Sequence, residues 1–277
     1  MKETKRIVDT TLRDGEQSPF VYLSEKNKLF VADSICRLGV YQIEAGISAL
    51  GVSEQRIIGK IIENKGNARV SVWSRLHPDD VRKAIECQPD VVHVTIPASY
   101  LHIYTKLGKN KPWIINRLHE VLEIMARSDC HLSVGFEDAS RADISFLMRL
   151  LSILEPFGTD MIRLADTVGA SSPDTIRNLV RTVREFTRIP IEIHAHNDLG
   201  MAIAITAEAL KAGALYADTT LLGVGERSGN CPLGGLLSVI HPLFDTNVDR
   251  ESVREAEHIF AQIILPGTKG NTCLEAN

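Results

Sequence analysis

Eight times along its length the chain passes from a short β-rich run into a longer stretch with helical spacing, and this alternation narrows its possible folds more than any other feature. The runs that read as strands are 6–12, 42–46, 69–74, 91–96, 132–136, 161–165, 191–196 and 217–222. Each is apolar or β-branched in bulk, as strands covered on both faces are. Amphipathic stretches between them include 24–37, 79–87, 114–128, 142–155, 173–186 and 201–212, with a further one at 252–264. Ser24 with Glu25, Pro78-Asp79-Asp80 and Ser172-Pro173-Asp174 carry the chemistry of helix starts, while Gly39 and Gly213 fall where C-terminal caps belong. Eight strand–helix units in 277 residues predict an α/β fold, a (β/α)8 TIM barrel. It is expected as a single catalytic domain over 1–277, with 241–277 a C-terminal extension ending in a loop at 265–271. A doubly wound sheet usually has fewer strands and opens on a glycine-rich turn. Here the first turn reads Arg13-Asp14-Gly15-Glu16, with neither GxGxxG nor a P-loop.

Composition removes several classes of function. The net charge is −4 with no long run of either sign, so neither a nucleic-acid footprint nor a polybasic membrane patch is expected. No stretch approaches the roughly 18 uninterrupted apolar residues of a membrane span, and the charged start Met1–Arg6 leads into no apolar signal core. Cys36, Cys87, Cys130, Cys231 and Cys273 are scattered and form no CxxC pair, which fits reduced thiols in a cytoplasmic protein rather than a zinc knot.

In such barrels, catalytic groups gather at the C-terminal ends of the strands. Those ends carry Arg13 and Asp14, Glu44, Arg75, Thr95, Glu137 with Asp138, Arg163 with Asp166 and Thr167, His194 with His196, and Glu226 with Asn230. His194 and His196 are two residues apart, so on a strand both face one side. With Asp14 they form a mixed nitrogen and oxygen set suited to Mn2+, Zn2+, Fe2+ or Co2+ and tolerant of Mg2+. Such an ion would polarise the keto oxygen of a 2-oxo acid. Alone, an HxH pair can equally pack structurally or cap a loop. Arg13 could stabilise an enolate or alkoxide, or simply pair with Glu44 or Glu137. Glu44 could orient Arg13 or a metal water, or serve as a structural partner. Thr167 could bind a substrate carboxylate or cap the helix near Pro173. Arg75 could pair with a distal carboxylate or form a surface ion pair. The segment Gly223–Asn230 is a glycine-rich loop opening a helix, a weak sign of anion binding.

The segments Asp9–Gln17, His194-Ala195-His196-Asn197-Asp198-Leu199-Gly200 and Gly223–Asn230 resemble the signatures of the metal-dependent acyltransferase/lyase TIM barrels. That family includes isopropylmalate, homocitrate, citramalate and Re-type citrate synthases and hydroxymethylglutaryl-CoA lyase. The resemblance implies that Asp14, His194 and His196 bind a divalent metal (Mg2+, Mn2+ or Zn2+), with Asn230 in or near its sphere. It implies catalytic roles for Arg13 and Glu44, and substrate binding by Arg13, Arg75, Glu137 and Thr167. The Gly-Glu-Arg-Ser-Gly-Asn wording at 225–230 is similar to the condensing enzymes, whereas the lyases carry a Gly-Gly-Cys-Pro loop there. The segments 96–99, 136–141 and 198–202 most resemble homocitrate synthases of the nitrogen-fixation type. The implied reaction condenses acetyl-CoA, the co-substrate, with 2-oxoglutarate to homocitrate and CoA. Family condensing enzymes continue into a region with a His-x-Ser-Gly-x-His-like motif that supplies a catalytic histidine, and this chain ends at Asn277, where that region would begin. A split enzyme, with this chain as the barrel and a second subunit supplying the rest, is the expectation, in a homo- or hetero-oligomer. The alternatives are lyase- or aldolase-type cleavage, condensation with another 2-oxo acid, and a regulatory subunit without turnover.

Overall fold

In the computed structural model, which describes residues 2–19 and 21–265, eight parallel strands close into a barrel. They are β1 (Arg6–Asp9), β2 (Gln42–Glu44), β3 (Arg69–Arg75), β4 (Val91–Pro97), β5 (His131–Glu137), β6 (Met161–Asp166), β7 (Ile191–Ala195) and β8 (Tyr216–Thr219). Each strand pairs with its sequence neighbours, and β1 closes on β8 with Arg6 opposite Tyr216. The helices that return the chain are α1 (Glu25–Arg37), α2 (Val52–Glu63), α3 (Pro78–Glu86), α4 (Lys111–Met125), α5 (Ile144–Phe157), α6 (Pro173–Phe186), α7 (Ala202–Lys211) and α8 (Leu233–Ile240). A ninth, α9 (Arg250–Ile264), follows. Among the described residues no helix is long and apolar enough to cross a membrane.

The expected helix starts hold. Ser24 accepts from the Asn27 amide and Ser172 from the Thr175 amide, although His77 rather than an aspartate caps α3, with Pro78 in its first turn. Gly39 and Gly213 take positive φ angles of 82° and 114°, as residues ending a helix do. Two helices, α2 and α8, are counted in the strand–helix alternation, but no stretch of the sequence delimits them. In α2, Gly59 interrupts a pattern that otherwise buries Ile57, Ile58 and Ile61. In α8, Leu-Gly-Gly-Leu-Leu-Ser-Val-Ile has too few polar residues to show a period. Four strands, β1, β2, β7 and β8, end earlier than expected, β1 and β8 by three residues each. The chain leaves β1 after Asp9 and turns through 10–14, and it leaves β8 after Thr219 into a tight turn with Leu222 at φ 55°.

The largest departure concerns what the strands bury. Their outward residues, such as Ile43, Val70, Val92, Val134, Ile162 and Ile193, pack in the core beneath the helices. The alternate, inward residues are polar. Gln42 donates to Ser71 (3.0 Å), His93 and Ser133 share a hydrogen bond (2.8 Å), and Arg163 meets Glu44, Glu192 and Asp218. An interior of this kind is tolerable only because most of its groups satisfy one another.

The segment after α8 is bound to the barrel. Phe244–Asp245 pairs in parallel with Glu3–Thr4, and Val253, Ala256 and Phe260 of α9 are buried. Apart from Leu265, the loop expected at 265–271 lies outside the described residues, as does Cys273. Glu257 of α9 accepts the backbone N–H of Leu222 (3.3 Å) and of Gly234 (3.1 Å), so it anchors both the turn after β8 and the start of α8. A Cβ at Gly234 would lie 2.7 Å from the same carboxylate. Glu257→Ala strips two amide donors of their acceptor and is expected to lower stability by about 1–2 kcal/mol in denaturant unfolding. Glu257→Gln, which keeps a carbonyl acceptor, should lose less.

Candidate active site

Asp14 reaches the barrel mouth because residues 10–14 form a turn, with the amides of Arg13, Asp14 and Gly15 all bonding the Thr10 carbonyl. His194 lies in β7, and His196, just past that strand, bridges backbone to backbone with Asn230. Their Nε2 atoms are 3.1 Å apart, and Asp14 Oδ2 lies 3.4 Å from His194 Nε2 and 4.0 Å from His196 Nε2. All three side chains are buried, and among the described residues they are the one cluster with metal-ligating geometry. The Asn230 amide nitrogen donates to Asp14 Oδ1 (3.1 Å) and to the Val224 carbonyl (3.0 Å), which leaves its oxygen buried without a partner. Gly225 makes room for this: a Cβ there would sit 2.2 Å from Asn230 Nδ2.

Arg13 is 8% exposed and lies between two acids, with Nε 2.5 Å from Glu44 and Nη1 2.6 Å from Asp14. Glu44, fully buried, also accepts from Thr10 and Arg163. Of the two ion-pair partners expected for Arg13, Glu44 is the one it has. Thr167 lines the same cavity and is not the cap of α6, a role held by Ser172; its hydroxyl accepts the Asp138 amide (2.9 Å). Glu137 also lines it, with its carboxylate 3.8 Å from His102. Arg75 is set apart: it is held by Asp80 (2.6 and 3.2 Å) and lines a second, adjoining cavity. Arg227 ties the loop after β8 to its neighbours by gripping both oxygens of Asp198 and the Thr167 carbonyl.

Burial works against charge throughout this site. Desolvation brings the imidazoles of His194 and His196 down to about 4, so at neutral pH both are neutral and able to act as ligands. Burial also opposes ionisation of Asp14, but Arg13, both imidazoles and Asn230 outweigh it and hold the carboxyl far below its usual range. Asp218 and Glu192 behave in the opposite way, with desolvation pushing each up to about 7. Asp218 Oδ2 lies 3.1 Å from His194 Nδ1, where it can fix the ring so that Nε2 points at Asp14. The inner barrel thus sets four carboxylates (Asp14, Glu44, Glu192 and Asp218) against two guanidiniums, those of Arg13 and Arg163. The orphaned Asn230 oxygen, the two neutral imidazoles and the ionised Asp14 carboxylate converging on one point together fit a divalent cation.

Asp218, Glu192, His93 and Ser133 were not singled out in the sequence, although polar residues two apart (Gln42 and Glu44, Glu192 and His194) record the inward face. Cys231 is fully buried with its thiol pushed up to about 12, so it is no loop nucleophile. Asp218 rises from 3.8 to about 7 on folding, so the penalty for its charge is absent at pH 4 and complete by about pH 7. In metal-free protein, Asp218→Asn is therefore expected to gain stability relative to wild type as pH rises across that window, by up to a few kcal/mol. Urea unfolding at pH 5 and pH 7.5 measures this, and a pH-independent difference would refute it.

Comparison with known proteins agrees with this geometry. A family model described as HMGL-like matches residues 5–259. The chain is 40% identical to the homocitrate synthase subunit alpha of Clostridium pasteurianum, over 93% of this chain and 97% of that one. It is also 40% identical to the homocitrate synthase of Frankia alni, over 89% of this chain and 70% of that one. In structure it is similar to the hydroxymethylglutaryl-CoA lyase of Pseudomonas aeruginosa, with a TM-score of 0.85 over 95% of this chain and 94% of that one, at 18% identity. That last likeness concerns the fold alone.

Proposed function

The chain belongs to the HMGL-like family, and from that premise we propose that it is a homocitrate synthase, condensing acetyl-CoA with 2-oxoglutarate to homocitrate and CoA. The observation that carries the reading is the convergence of Asp14, His194, His196 and Arg13 on one cavity, in a chain so similar to condensing enzymes along most of its length. Asp14, His194 and His196, with the free Asn230 oxygen beside them, would hold a divalent metal, for which Mg2+, Mn2+ and Zn2+ all suit the donor set. When bound, that ion supplies a Lewis acid for the keto group.

The remaining chemistry belongs to the protein. Arg13, locked in place by Glu44, presents a fixed guanidinium where negative charge develops as the ketone is attacked. Glu44 is kept ionised because Arg13 and Arg163 outweigh its burial. Thr167 and Glu137 border the space left for substrate, where the Thr167 hydroxyl would contact a carboxylate. Asp218, 3.1 Å from His194 Nδ1, would steady that ring from behind by its charge. The name of the Clostridium pasteurianum relative, subunit alpha, suits a barrel that works with a second subunit, and we assign this chain the same place. The four described cysteines are all unpaired, which suits a cytoplasmic enzyme.

The direct test is CoA release from acetyl-CoA with Mn2+ or Mg2+ across a panel of 2-oxo acids, with and without a candidate partner subunit. Release that depends on 2-oxoglutarate is expected; release with another 2-oxo acid alone would replace homocitrate as the product. His194→Gln should weaken Mn2+ binding about 10–100-fold or more in a direct metal titration, since loss of a ligand should cost at least as much as loss of an outer-shell partner. Arg13→Lys, which keeps the charge but not the fork, should lower kcat on the order of 10²–10³-fold with little change in metal affinity.

A further inference from the structure

Beside the metal-side cavity of about 210 Å3 lies a larger one of about 450 Å3, and Trp73, Thr95, Glu137 and Lys106 line both. The larger cavity is walled mainly by apolar and aromatic groups, among them Trp73, Leu76, Pro97, Leu107 and Trp113. Two cations flank Trp113, Lys109 with Nζ 5.6 Å and Arg117 with its guanidinium 5.2 Å from the ring centre, Arg117 being paired with Glu120 (2.7 Å). From the metal-side site outward the cleft therefore passes into a channel whose walls are mainly apolar, with Lys106 and Glu137 at the junction and Lys109 beside Trp113 at the outer end. An acyl-coenzyme A has this order of chemistry, with a thioester carbonyl, a neutral pantetheine arm and then phosphates.

The cations along these two cavities differ in one respect. Arg13 is matched by Glu44 and Asp14, Arg163 by Glu44, Glu192 and Asp218, and Arg75 by Asp80. Among the described residues the Lys106 ammonium has no carboxylate partner and no side-chain hydrogen bond; the residue is exposed and borders both cavities. Its position is built rather than incidental. Residues Leu101–Lys106 form a single wide turn in which the Leu107 amide bonds the His102 carbonyl (2.9 Å). Ile103, fully buried, pins that turn, and Tyr100 stacks on Tyr104 with ring centres 4.4 Å apart. Turns of this rare width recur at functional sites. Glu137 in the same wall makes this a poor place for a second substrate carboxylate, and a neutral carbonyl escapes that repulsion.

We propose that the larger cavity receives the acyl arm of the coenzyme A thioester and that the Lys106 ammonium donates to its carbonyl oxygen. The proposal deepens the condensing reading above and rests on it. Of the chain's two tryptophans, Trp113 lines this cavity alone and Trp73 lines both, so quenching that persists in a Trp73→Phe variant reports occupancy of the larger one.

The experiment titrates metal-loaded protein with two inert probes. One is the dethia ketone analogue of acetyl-CoA, which keeps the carbonyl with a methylene in place of sulfur; the other is S-ethyl-CoA, which lacks the carbonyl. Calorimetry with 2-oxoglutarate and with its 5-amide runs alongside. Wild type should quench with both CoA probes and bind the ketone about tenfold tighter, the scale of a charge-assisted hydrogen bond. Lys106→Met should bring the two probes to within about twofold of each other and leave the preference for 2-oxoglutarate over the amide unchanged. Lys106→Arg should restore part of the difference. Retained carbonyl preference in Lys106→Met overturns the proposal, as does loss of the 2-oxoglutarate preference instead, which would assign the ammonium to the keto acid. Absence of quenching by either CoA probe, in protein that still binds 2-oxo acids, also overturns it while leaving the condensing reading intact. Failure to bind any 2-oxo acid would instead count against that reading itself, and the proposal would fall with it.

Discussion

Arg163 is the charge around which the barrel interior is organised. It projects from β6 into a space with almost no solvent and meets Glu44 from β2, Glu192 from β7 and Asp218 from β8 at 3.0 to 3.2 Å. Burying a guanidinium is costly unless partners surround it, and removal of one member of such a group costs more than the pair contributes. The arrangement is therefore weak ground for a stability argument and strong ground for specificity, since four strands must hold one register for the charges to meet. The functional groups stand on this layer. Glu44 carries Arg13 on its other side, and Asp218 carries His194. A metal-side cluster assembled from β1, β7 and the loop after β8 thus inherits its geometry from an ion network one layer deeper.

Closure of the barrel accomplishes what chain order does not. Asp14 and Asn230 are 216 positions apart and share a hydrogen bond because β1 and β8 are neighbours. The turns that follow those strands are fitted to each other. Thr11 accepts the Leu221 amide (2.9 Å), and Gly15 faces Val224 so closely that a Cβ would come within 2.9 Å of its methyl. Glycine at 225 serves Asn230 in the same manner.

The strand count, parallel closure and principal helices were legible because strand and helix periods differ and because caps such as Ser24 and Ser172 mark the joins. The convergence of Asp14, His194 and His196 was legible because residues two apart on a strand face one side and the strand ends of a barrel share one mouth, although an HxH pair alone could equally have packed structurally. The polar interior was harder to see. Short strands rich in β-branched residues read as apolar, and the polar residues at alternate positions were masked by the outward-facing Ile and Val between them. Helices α2 and α8 could not be delimited for related reasons, one broken by Gly59 and the other lacking a polar face. Arg75, read as either a contact for a distal carboxylate or a surface ion pair, is bound by Asp80, five residues on, at the edge of the adjoining cavity. Lys106 carried no signal whatever, since a lysine in a loop has a meaning only when the cavities on either side of it are known.

The strands differ in length, and this shapes the mouth of the barrel. β1, β2 and β8 have four, three and four residues, whereas β3, β4 and β5 have seven each. On the short side the chain turns early, so Arg13, Asp14 and Asn230 come down to the ion network and stay within reach of its charges. On the long side the strands continue upward and raise a wall of Trp73, Thr95, Pro97 and Glu137. A ligand entering the mouth therefore meets charge and metal-ligating groups on one flank and an apolar channel on the other. A condensation between a charged keto acid and a largely neutral thioester arm requires that division. In this barrel it follows from how far each strand extends before its first turn.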